Sequence, residues 1–545
     1  MAIKVETSSG AAIAAGWSEG YVTDTLYTDH VFREQSPVWI NYVATLMGCV
    51  PRPLDQPFSY LELGCGLGHS ITVFAAACPE GRFVGVDFNP AHIDHAQRRA
   101  RTLGLNNLTF VEASFQDLAA DAAGQGIARD LGHFDFAALH GIYSWISPEA
   151  RRAVQRLLFD RLKSGGLVYN SYNCLPGWAT EAPLQRLLKE FAATGSGGSG
   201  QRIRNALGRI NALAAIKSGY LSGNQQAMSA LNVYSRKPDN YLAHEFLNGE
   251  WNAFYAADVA DEMAEAKLDF VGSATLMENH RDLLLSDAAI ALVGEQPDER
   301  RRQMVQDFLI NQKFRRDVFV RGHARLSQAE IAANRARQYL VAPKSLSALD
   351  PKIKVPRGTV TVDPEKFKHL IAVLKDRAGT EGDFAAAFAK ASGAVGEFSR
   401  LIGILAATNN LMPAAKASPA PAKTPTIPGE IARQTLPLKA NAVELAAALA
   451  KKSNVLLISP VTGNGVSYGL TEILLLNELL SAGGTPVDLV SRVRAQMQAR
   501  GVRPSKNAKA MTDPDEITAH LQKLIEDFSA KDLPALTRLG VVTQA

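Results

Sequence analysis

Three closely spaced glycines in this 545-residue chain are arranged to bind a ligand through the main chain. They occupy positions 64, 66 and 68 of the run ELGCGLG, between a short apolar segment typical of a β-strand and a segment with helical spacing. A glycine at such a turn lets a ligand approach closely, because any Cβ would block it. The dinucleotide pattern GxGxxG requires glycine at position 69, where this chain has His69. The segment therefore predicts a ligand cradle that departs from the dinucleotide pattern.

An acidic residue at the end of the next predicted strand adds a second ligand contact. Asp87 ends the segment FVGVD and lies 87 − 64 = 23 residues after Gly64. A carboxylate at this position can accept hydrogen bonds from both hydroxyls of an unphosphorylated ribose. The glycines and Asp87 together predict an adenosine-containing ligand.

Alternating strands and helices must position these residues. Predicted strands end at Leu63 and then cover 83–86, 109–111, 134–139 and 167–172, with helices predicted at 70–77, 91–103 and 148–162. This alternation indicates a parallel sheet with right-handed crossovers, in which ligands bind at the carboxyl ends of the strands. We therefore predict an α/β fold.

The combination of Glu62, the glycine triplet, Asp87 and the strand order resembles motif I and the acidic loop of class I S-adenosylmethionine-dependent methyltransferases. A tight glycine turn in an unrelated α/β domain is the alternative. The resemblance implies a Rossmann-like sheet with S-adenosyl-L-methionine as cofactor. It implies that the glycines line the methionine and ribose, that Asp87 holds the ribose and that Phe88 covers the adenine. The residues it places at the cofactor are Glu62, Gly64, Gly66, Gly68, Asp87, Phe88, Ser114, Phe115 and His140.

Further segments resemble bacterial methyltransferases that carry a methyltransferase regulatory domain, among them the rickettsial protein lysine methyltransferases. The resemblance covers most of residues 21–326 and depends on HGIYSW at 140–145, SYNCLPGW at 171–178 and YLAHEFL at 241–247. It implies a large, mostly helical region after the catalytic sheet. It also implies a C-terminal domain of winged-helix type.

Tyr143, Trp145 and Asn173 are the predicted catalytic residues. Aromatic faces attract cations and exclude water, so the two rings suit an alkylamine pocket, and Tyr143 is predicted to hydrogen-bond the amine. Alternatively, the rings pack under the sheet edge and Asn173 caps a turn. Neither HGIYSW nor SYNCLPGW contains Asp or Glu, which is consistent with deprotonation by desolvation rather than by a dedicated base.

The composition changes along the chain predict several domains. Residues 194–200 read TGSGGSG and indicate a flexible link, and residues 413–428 are rich in Pro, Ala and Lys. We predict an N-terminal extension (1–45), a cofactor-binding methyltransferase domain (46–195), a regulatory domain (196–330), a helical region (331–412), an extended linker (413–429) and a C-terminal helical, winged-helix-like domain (430–545).

Composition excludes several classes of protein. Hydrophobic residues make up 46% and charged residues 21%, which excludes disorder of the whole chain, and the net charge is only 58 − 54 = +4. Because this charge is small, we expect no nucleic-acid partner. No run of about 18 apolar residues occurs, so we expect no stable membrane insertion. The cysteine pattern fits a reducing cytoplasm, so we expect a cytoplasmic location. Four cysteines without CxxC spacing, and histidines without metal-ligand spacing, predict no metal. His92 and His95 are expected on a solvated helix face, and basic residues in 300–325 on a helix surface or, alternatively, an acidic protein's docking site.

Three functions remain open from the sequence. The first is a protein lysine methyltransferase, which about 350 residues outside the catalytic sheet favour (545 − 195 = 350). The second is a small-molecule O- or N-methyltransferase acting on a sugar or lipid precursor. The third is a non-catalytic cofactor sensor, against which the intact ELGCGLG and Asp87 argue. The sequence leaves the acceptor and the oligomeric state open.

Overall fold

A computed structural model provides the fold. It describes residues 18–26, 30–121, 126, 131–322, 324, 326–375, 377–393, 397–419, 429–506 and 509–545. The first 17 positions of the predicted N-terminal extension, and residues 420–428 of the predicted linker, lie outside the described residues. In the described part of that linker, Pro413 and Ala414 are buried in a strand and the Ser418 hydroxyl donates to the Arg538 carbonyl at 2.7 Å.

A seven-stranded mixed sheet forms the centre of the molecule, with strand order β3-β2-β1-β4-β5-β7-β6. Strands β1 to β7 span Phe58–Leu63, Gly81–Asp87, Leu108–Glu112, Phe134–Leu139, Leu162–Asn173, Leu268–Ser273 and Phe314–Arg321. The first five are parallel, β7 runs antiparallel to β5, and β6 runs antiparallel to β7. Strands β1 and β4 are buried along their whole length, as expected of apolar strands covered on both faces.

Helices cover both faces of this sheet. Helices α1 to α5 span Pro37–Leu46, His69–Ala77, Pro90–Thr102, Phe115–Ala120 and Pro148–Arg161, and 3-10 turns span Arg33–Gln35 and Tyr143–Trp145. Helix α5 begins where the sequence predicts it, because Ser147 accepts a hydrogen bond from the Ala150 amide and Pro148 fills the first turn. The strand ends that carry the predicted ligand residues therefore meet at one edge.

The predicted α/β class and the first five strands are confirmed, whereas the prediction of a parallel sheet is incomplete. Strands β6 and β7 lie in a region that the sequence predicts to be mostly helical. Strand β7 reads FRRDVFVR, and its charges resemble a solvated surface. Arg315 is instead only 1% exposed and pairs with Asp307 and Asp317, so the helix-surface prediction is wrong for this residue.

The region between β5 and β7 is otherwise helical, as predicted. Helices α6 to α14 span Ala182–Ala193, Ser199–Ala215, Gly219–Ser222, Gln225–Tyr234, Asp239–Phe246, Ala256–Glu265, Arg281–Leu284, Asp287–Gly294 and Glu299–Ile310, with a 3-10 turn at Leu276–Asn279. Helices α6, α7, α9 and α10 enclose an apolar cluster of their own, which includes Leu188, Ile210, Leu231 and Phe246. This cluster positions α10 against the strand ends.

The C-terminal part combines helices with short strands. Helices α15 to α23 span Gln328–Arg337, Pro364–Leu374, Glu381–Ser392, Phe398–Ala407, Lys439–Lys451, Leu470–Ser481, Pro486–Ala499, Pro514–Asp527 and Leu533–Arg538. Strands β8 to β18 span Tyr339–Val341, Lys352–Val355, Gly358–Thr361, Gly379–Thr380, Met412–Ala414, Gln434–Thr435, Val455–Ser459, Asn464–Tyr468, Ser505–Lys506, Lys509–Ala510 and Thr543–Gln544. The turn predicted at 459–465 lies within a hairpin of β14 and β15. None of the helices in the described ranges has the length and apolarity needed to cross a membrane.

Candidate active site

The three glycines of the β1–α2 turn serve different purposes. All three have positive φ, of 70°, 52° and 73° for Gly64, Gly66 and Gly68. A Cβ on Gly64 would lie 2.3 Å from Ile142 Cδ1, and one on Gly68 would lie 2.8 Å from Ala96 Cβ. A Cβ on Gly66 would meet no atom within 4 Å. Packing therefore requires Gly64 and Gly68, while Gly66 faces open space.

Asp87 fixes the shape of this turn. One of its carboxylate oxygens accepts a hydrogen bond from the Gly66 amide at 2.9 Å, and the other accepts from the Asn89 amide at 2.9 Å. His92 Nδ1 lies 3.3 Å from the second oxygen and the histidine is only 3% exposed. The prediction that His92 lies on a solvated helix face is therefore wrong, whereas His95 is exposed as predicted.

Glu62 lies buried behind the glycine turn. Burial, reinforced by the negative charge of Asp87, raises the pKa of this carboxyl to about 8. Its Oε2 atom has no hydrogen-bond partner among the described residues. A buried acceptor without a partner is costly, so this carboxyl stabilises the site best when a cationic or donor group is close.

A cavity of about 1000 Å³ opens in front of the turn, and we call it the glycine-loop cavity. Seven predicted cofactor residues line it: Gly64, Gly66, Asp87, Phe88, Ser114, Phe115 and His140. Gly68 and Glu62 do not line it, since Gly68 packs on Ala96 of α3 and Glu62 is buried. Ser18, Glu19 and Tyr21 complete the cavity from the N-terminal segment, and His244 and Glu245 from α10.

A second cavity of about 840 Å³ adjoins the first, and we call it the aromatic cavity. Its lining residues are Phe32, His140, Gly141, Trp145, Asn173, Trp178, Tyr234, Tyr241, Glu245, Lys313, Phe314 and Arg316. His140, Gly141, Trp145 and Glu245 line both cavities. A ligand in one cavity is therefore adjacent to a ligand in the other.

Two charged groups of the aromatic cavity, Lys313 and Glu245, differ in how their charges are balanced. The Lys313 ammonium lies 2.6 Å from a Glu181 carboxylate oxygen and 4.2 Å from the centre of the Trp178 ring. Burial raises the pKa of Glu245 to about 7, although the charge of Lys313 and a hydrogen bond from Asn173 oppose that shift. Glu245 is therefore an acid that can change its protonation state near neutral pH.

His140 is held neutral between the two cavities. Its Nδ1 lies 2.9 Å from the Tyr169 hydroxyl and 3.1 Å from the Ser171 hydroxyl, and its ring stacks on Phe32 at 3.6 Å. Burial, followed by the charges of Arg316 and His30, lowers the pKa of His140 well below its usual value. The imidazole is thus an uncharged part of the wall.

The structure brings two of the three predicted catalytic residues to the aromatic cavity. Trp145 and Asn173 line it, but Tyr143 lines neither cavity. Tyr143 is 0% exposed, donates a hydrogen bond to Glu262 and accepts one from the Gln155 amide at 3.2 Å. The 3-10 turn at 143–145 directs this ring toward α5 and α11, so the prediction that Tyr143 faces the amine is wrong.

Sequence analysis missed Glu245, Lys313 and Tyr234 as cavity residues. They lie 61 to 140 residues beyond Asn173 in the chain and no spacing links them to it. YLAHEFL at 241–247 did carry a signal, because it places Glu245 inside a segment that marks the family. Within the described residues, no group of three His, Cys, Asp or Glu is arranged to hold a metal ion.

Comparisons with known proteins agree with this geometry. A methyltransferase domain model matches residues 61–168, and a model described as a predicted methyltransferase regulatory domain matches residues 238–321. PKMT2 from Rickettsia typhi in complex with AdoHcy superposes with a TM-score of 0.71 at 18% identity, covering 94% of this chain and 100% of that one. The strand order and these matches define a class I S-adenosylmethionine-dependent methyltransferase.

Whole-length relatives identify the family within this class. An uncharacterised protein from Synechocystis is 33% identical over 96% of this chain and 99% of its own length. An uncharacterised protein from Rickettsia prowazekii is 25% identical over 53% of this chain and 50% of its own. The chain belongs to the methyltransferase family that carries a methyltransferase regulatory domain, together with the Synechocystis protein.

Proposed function

We propose that the protein transfers methyl groups from S-adenosyl-L-methionine to lysine side chains of a protein. The observation that carries this proposal is the aromatic cavity beside the glycine-loop cavity. Its six aromatic side chains and the carboxylate of Glu245 suit an alkylammonium group. The similar fold of PKMT2 from Rickettsia typhi, a protein lysine methyltransferase, supports the same acceptor.

In this proposal the glycine-loop cavity holds the cofactor. The open space over Gly66 admits the methionine part, and the Oε2 atom of the Glu62 carboxyl, which has no hydrogen-bond partner among the described residues, offers a polar group behind the turn. Asp87 already holds the Gly66 amide, so it both shapes the turn and faces the ribose. Phe88, Ser114 and Phe115 would surround the adenine, and His140 would lie beside the sulfonium.

The aromatic cavity would solve the main chemical problem of a lysine acceptor. A free lysine amine has a pKa of about 10.4, so its deprotonation at pH 7 costs about 4.6 kcal/mol. Burial in an apolar cavity and the positive charge of the sulfonium both favour the neutral amine. The bound sulfonium supplies the electrophilic methyl group, and the protein aligns the amine with it and excludes water.

The experiment is methyl transfer from labelled S-adenosyl-L-methionine into lysate, separated into protein and small-molecule fractions. Gly66→Arg should abolish labelling, because its side chain fills the glycine-loop cavity. Gly104→Arg is the matched control, since Gly104 also has positive φ, of 70°, with no atom within 4 Å of a Cβ, and lies outside both cavities.

Base-stable label in a protein band, placed on lysine by mass spectrometry and lost only with Gly66→Arg, is the expected result. Label confined to small molecules would replace the lysine proposal with a small-molecule methyltransferase. Cofactor binding without any label in either fraction would favour a cofactor sensor.

A further inference from the structure

Glu245 is the one carboxylate among the described residues that lines both cavities. It belongs to α10, which the apolar cluster around Leu242 and Phe246 holds in place. Its backbone carbonyl accepts a hydrogen bond from Trp145 Nε1 at 3.4 Å. The backbone of a residue from the regulatory region is thereby held at the junction where donor and acceptor would meet.

The groups facing Glu245 come from every neighbouring element. They are His140 after β4, Asn173 at the end of β5, Tyr234 on α9, Tyr241 and His244 on α10, and Lys313 and Arg316 at β7. Lys313 and the Asn173 amide favour the charged carboxylate, and burial opposes it. The result is a carboxyl that gives up and takes back a proton close to pH 7.

Other groups at this junction are already committed. The Lys313 ammonium is paired with Glu181 at 2.6 Å, and His140 Nδ1 contacts the hydroxyls of Tyr169 and Ser171. Asp87 holds the amides of Gly66 and Asn89. Of these side chains, only Glu245 is a carboxylate that lines both cavities, and one hydrogen bond from Asn173 leaves it further acceptor capacity.

We propose that Glu245 is the catalytic proton acceptor for the lysine amine, an inference that rests on the proposed function. The acceptor ammonium gives one proton to the Glu245 carboxylate. The nitrogen lone pair then forms a bond to the methyl carbon, while the carbon–sulfur bond breaks and its electron pair returns to sulfur. The products are a methylated ammonium, S-adenosyl-L-homocysteine and a protonated Glu245, which releases its proton to solvent.

The test compares Glu245→Gln with the wild type across pH, with the acceptor protein identified by the labelling experiment. Glutamine keeps the size and hydrogen bonding of the side chain but cannot accept a proton. We expect kcat to fall about 100-fold at pH 7, within the range of general base catalysis. The defect should shrink to less than about 10-fold at pH 10, where solvent deprotonates the amine. Cofactor affinity, measured by calorimetry, should change less than about threefold.

Two controls separate this role from a structural one. Glu250→Gln changes a nearby carboxylate that lines neither cavity, and its pH profile should match that of the wild type. Glu245→Asp keeps a carboxylate and should retain the wild-type shape of the pH profile at a lower kcat. If Glu245→Gln fails to bind cofactor, the Glu245→Asp profile decides the question, because a shape unlike that of the wild type would contradict the proposal.

A Glu245→Gln enzyme with kcat within about threefold of the wild type at pH 7 would overturn the inference. Lysine labelling by the wild type would still support the proposed function in that case. Absence of lysine labelling by the wild type itself would instead refute the proposed function, so the two failures are distinguishable.

Discussion

The two cavities of the active site are built in contrasting ways. The glycine-loop cavity is formed largely by the ends of neighbouring strands, with its shape set by local turns at Gly64, Gly66 and Asp87. The aromatic cavity draws on residues from Phe32 to Arg316, held by tertiary packing. A cofactor shared by a whole class is thus bound by local geometry. The surface that would select an acceptor depends on how distant segments pack.

The prediction with the largest expected effect concerns Glu62, behind the glycine turn. Since burial raises the pKa of Glu62 to about 8 from 4.5, the folded protein keeps a proton that the unfolded chain loses above about pH 4.5. The contribution of Glu62 to the stability of the cofactor-free protein should therefore fall by roughly 4 kcal/mol as pH rises from about 5 to about 8. Thermal unfolding across pH should show this loss.

Glu62→Gln should remove the part of the pH dependence that Glu62 contributes, because glutamine does not titrate, whereas Glu245 and Asp307, whose pKa values burial raises to about 7, should still lower stability up to about pH 7. Glu80→Gln, on the exposed turn before β2, should unfold like the wild type at each pH. An equally steep loss of stability in Glu62→Gln would show that another group causes it.

The prediction with the next largest effect on stability concerns the aromatic cavity alone. Lys313→Met keeps an apolar stem but leaves the carboxylate of Glu181, 3% exposed, without its ammonium partner. We expect a loss of about 2 kcal/mol in the free energy of unfolding, less than for a fully buried pair, because Lys313 is partly exposed. Urea unfolding measures it, and cofactor affinity should stay within about twofold.

The double variant Lys313→Met/Glu181→Gln should recover more than half of that loss, since no unpaired charge remains. Equal stability of the single and double variants would show that the ion pair does not hold this wall.

The smallest effect lies outside both cavities. Tyr143→Phe removes hydrogen bonds with Glu262 and Gln155, so we expect about 1 kcal/mol lower stability with kcat within about twofold of the wild type. Trp145→Phe, which alters a wall of both cavities, should lower kcat more while costing less stability. The opposite order would return Tyr143 to the acceptor site.

The contrast between the cavities also explains how far the sequence could predict the site. Gly64, Gly66 and Asp87 owe their places to turn geometry within about 25 residues, which leaves a recognisable spacing. Trp145 and Asn173 could be predicted because they follow strands β4 and β5. Glu245 and Lys313 could not, since nothing in local spacing determines that α10 packs beside the start of β7.

The fold, like the site, could be predicted only where the local sequence determines it. Strands β1 to β5 are apolar runs separated by helices, so neighbouring residues in the chain suffice to predict them. Strand β7 could not be predicted from the sequence, because Arg315 is a charged residue at a buried position. Its burial depends on ion pairs with Asp307 and Asp317, which only the three-dimensional structure reveals. For Tyr143 the error was the opposite one. The sequence predicts that it faces the site, but the turn at 143–145 directs its ring into the core.

The pairing of β5 with β7 cannot form until long after β5 has been synthesised. Strand β5 ends at Asn173 and its partner begins at Phe314, so 314 − 173 = 141 residues must be translated after β5 before pairing can start. At roughly 5 to 20 residues per second, this interval lasts roughly 7 to 28 s. During that time one edge of the sheet has unpaired amides and carbonyls, the kind of edge that joins other chains. During synthesis, β5 is therefore an edge strand of the sheet that can pair with another chain until β7 is made.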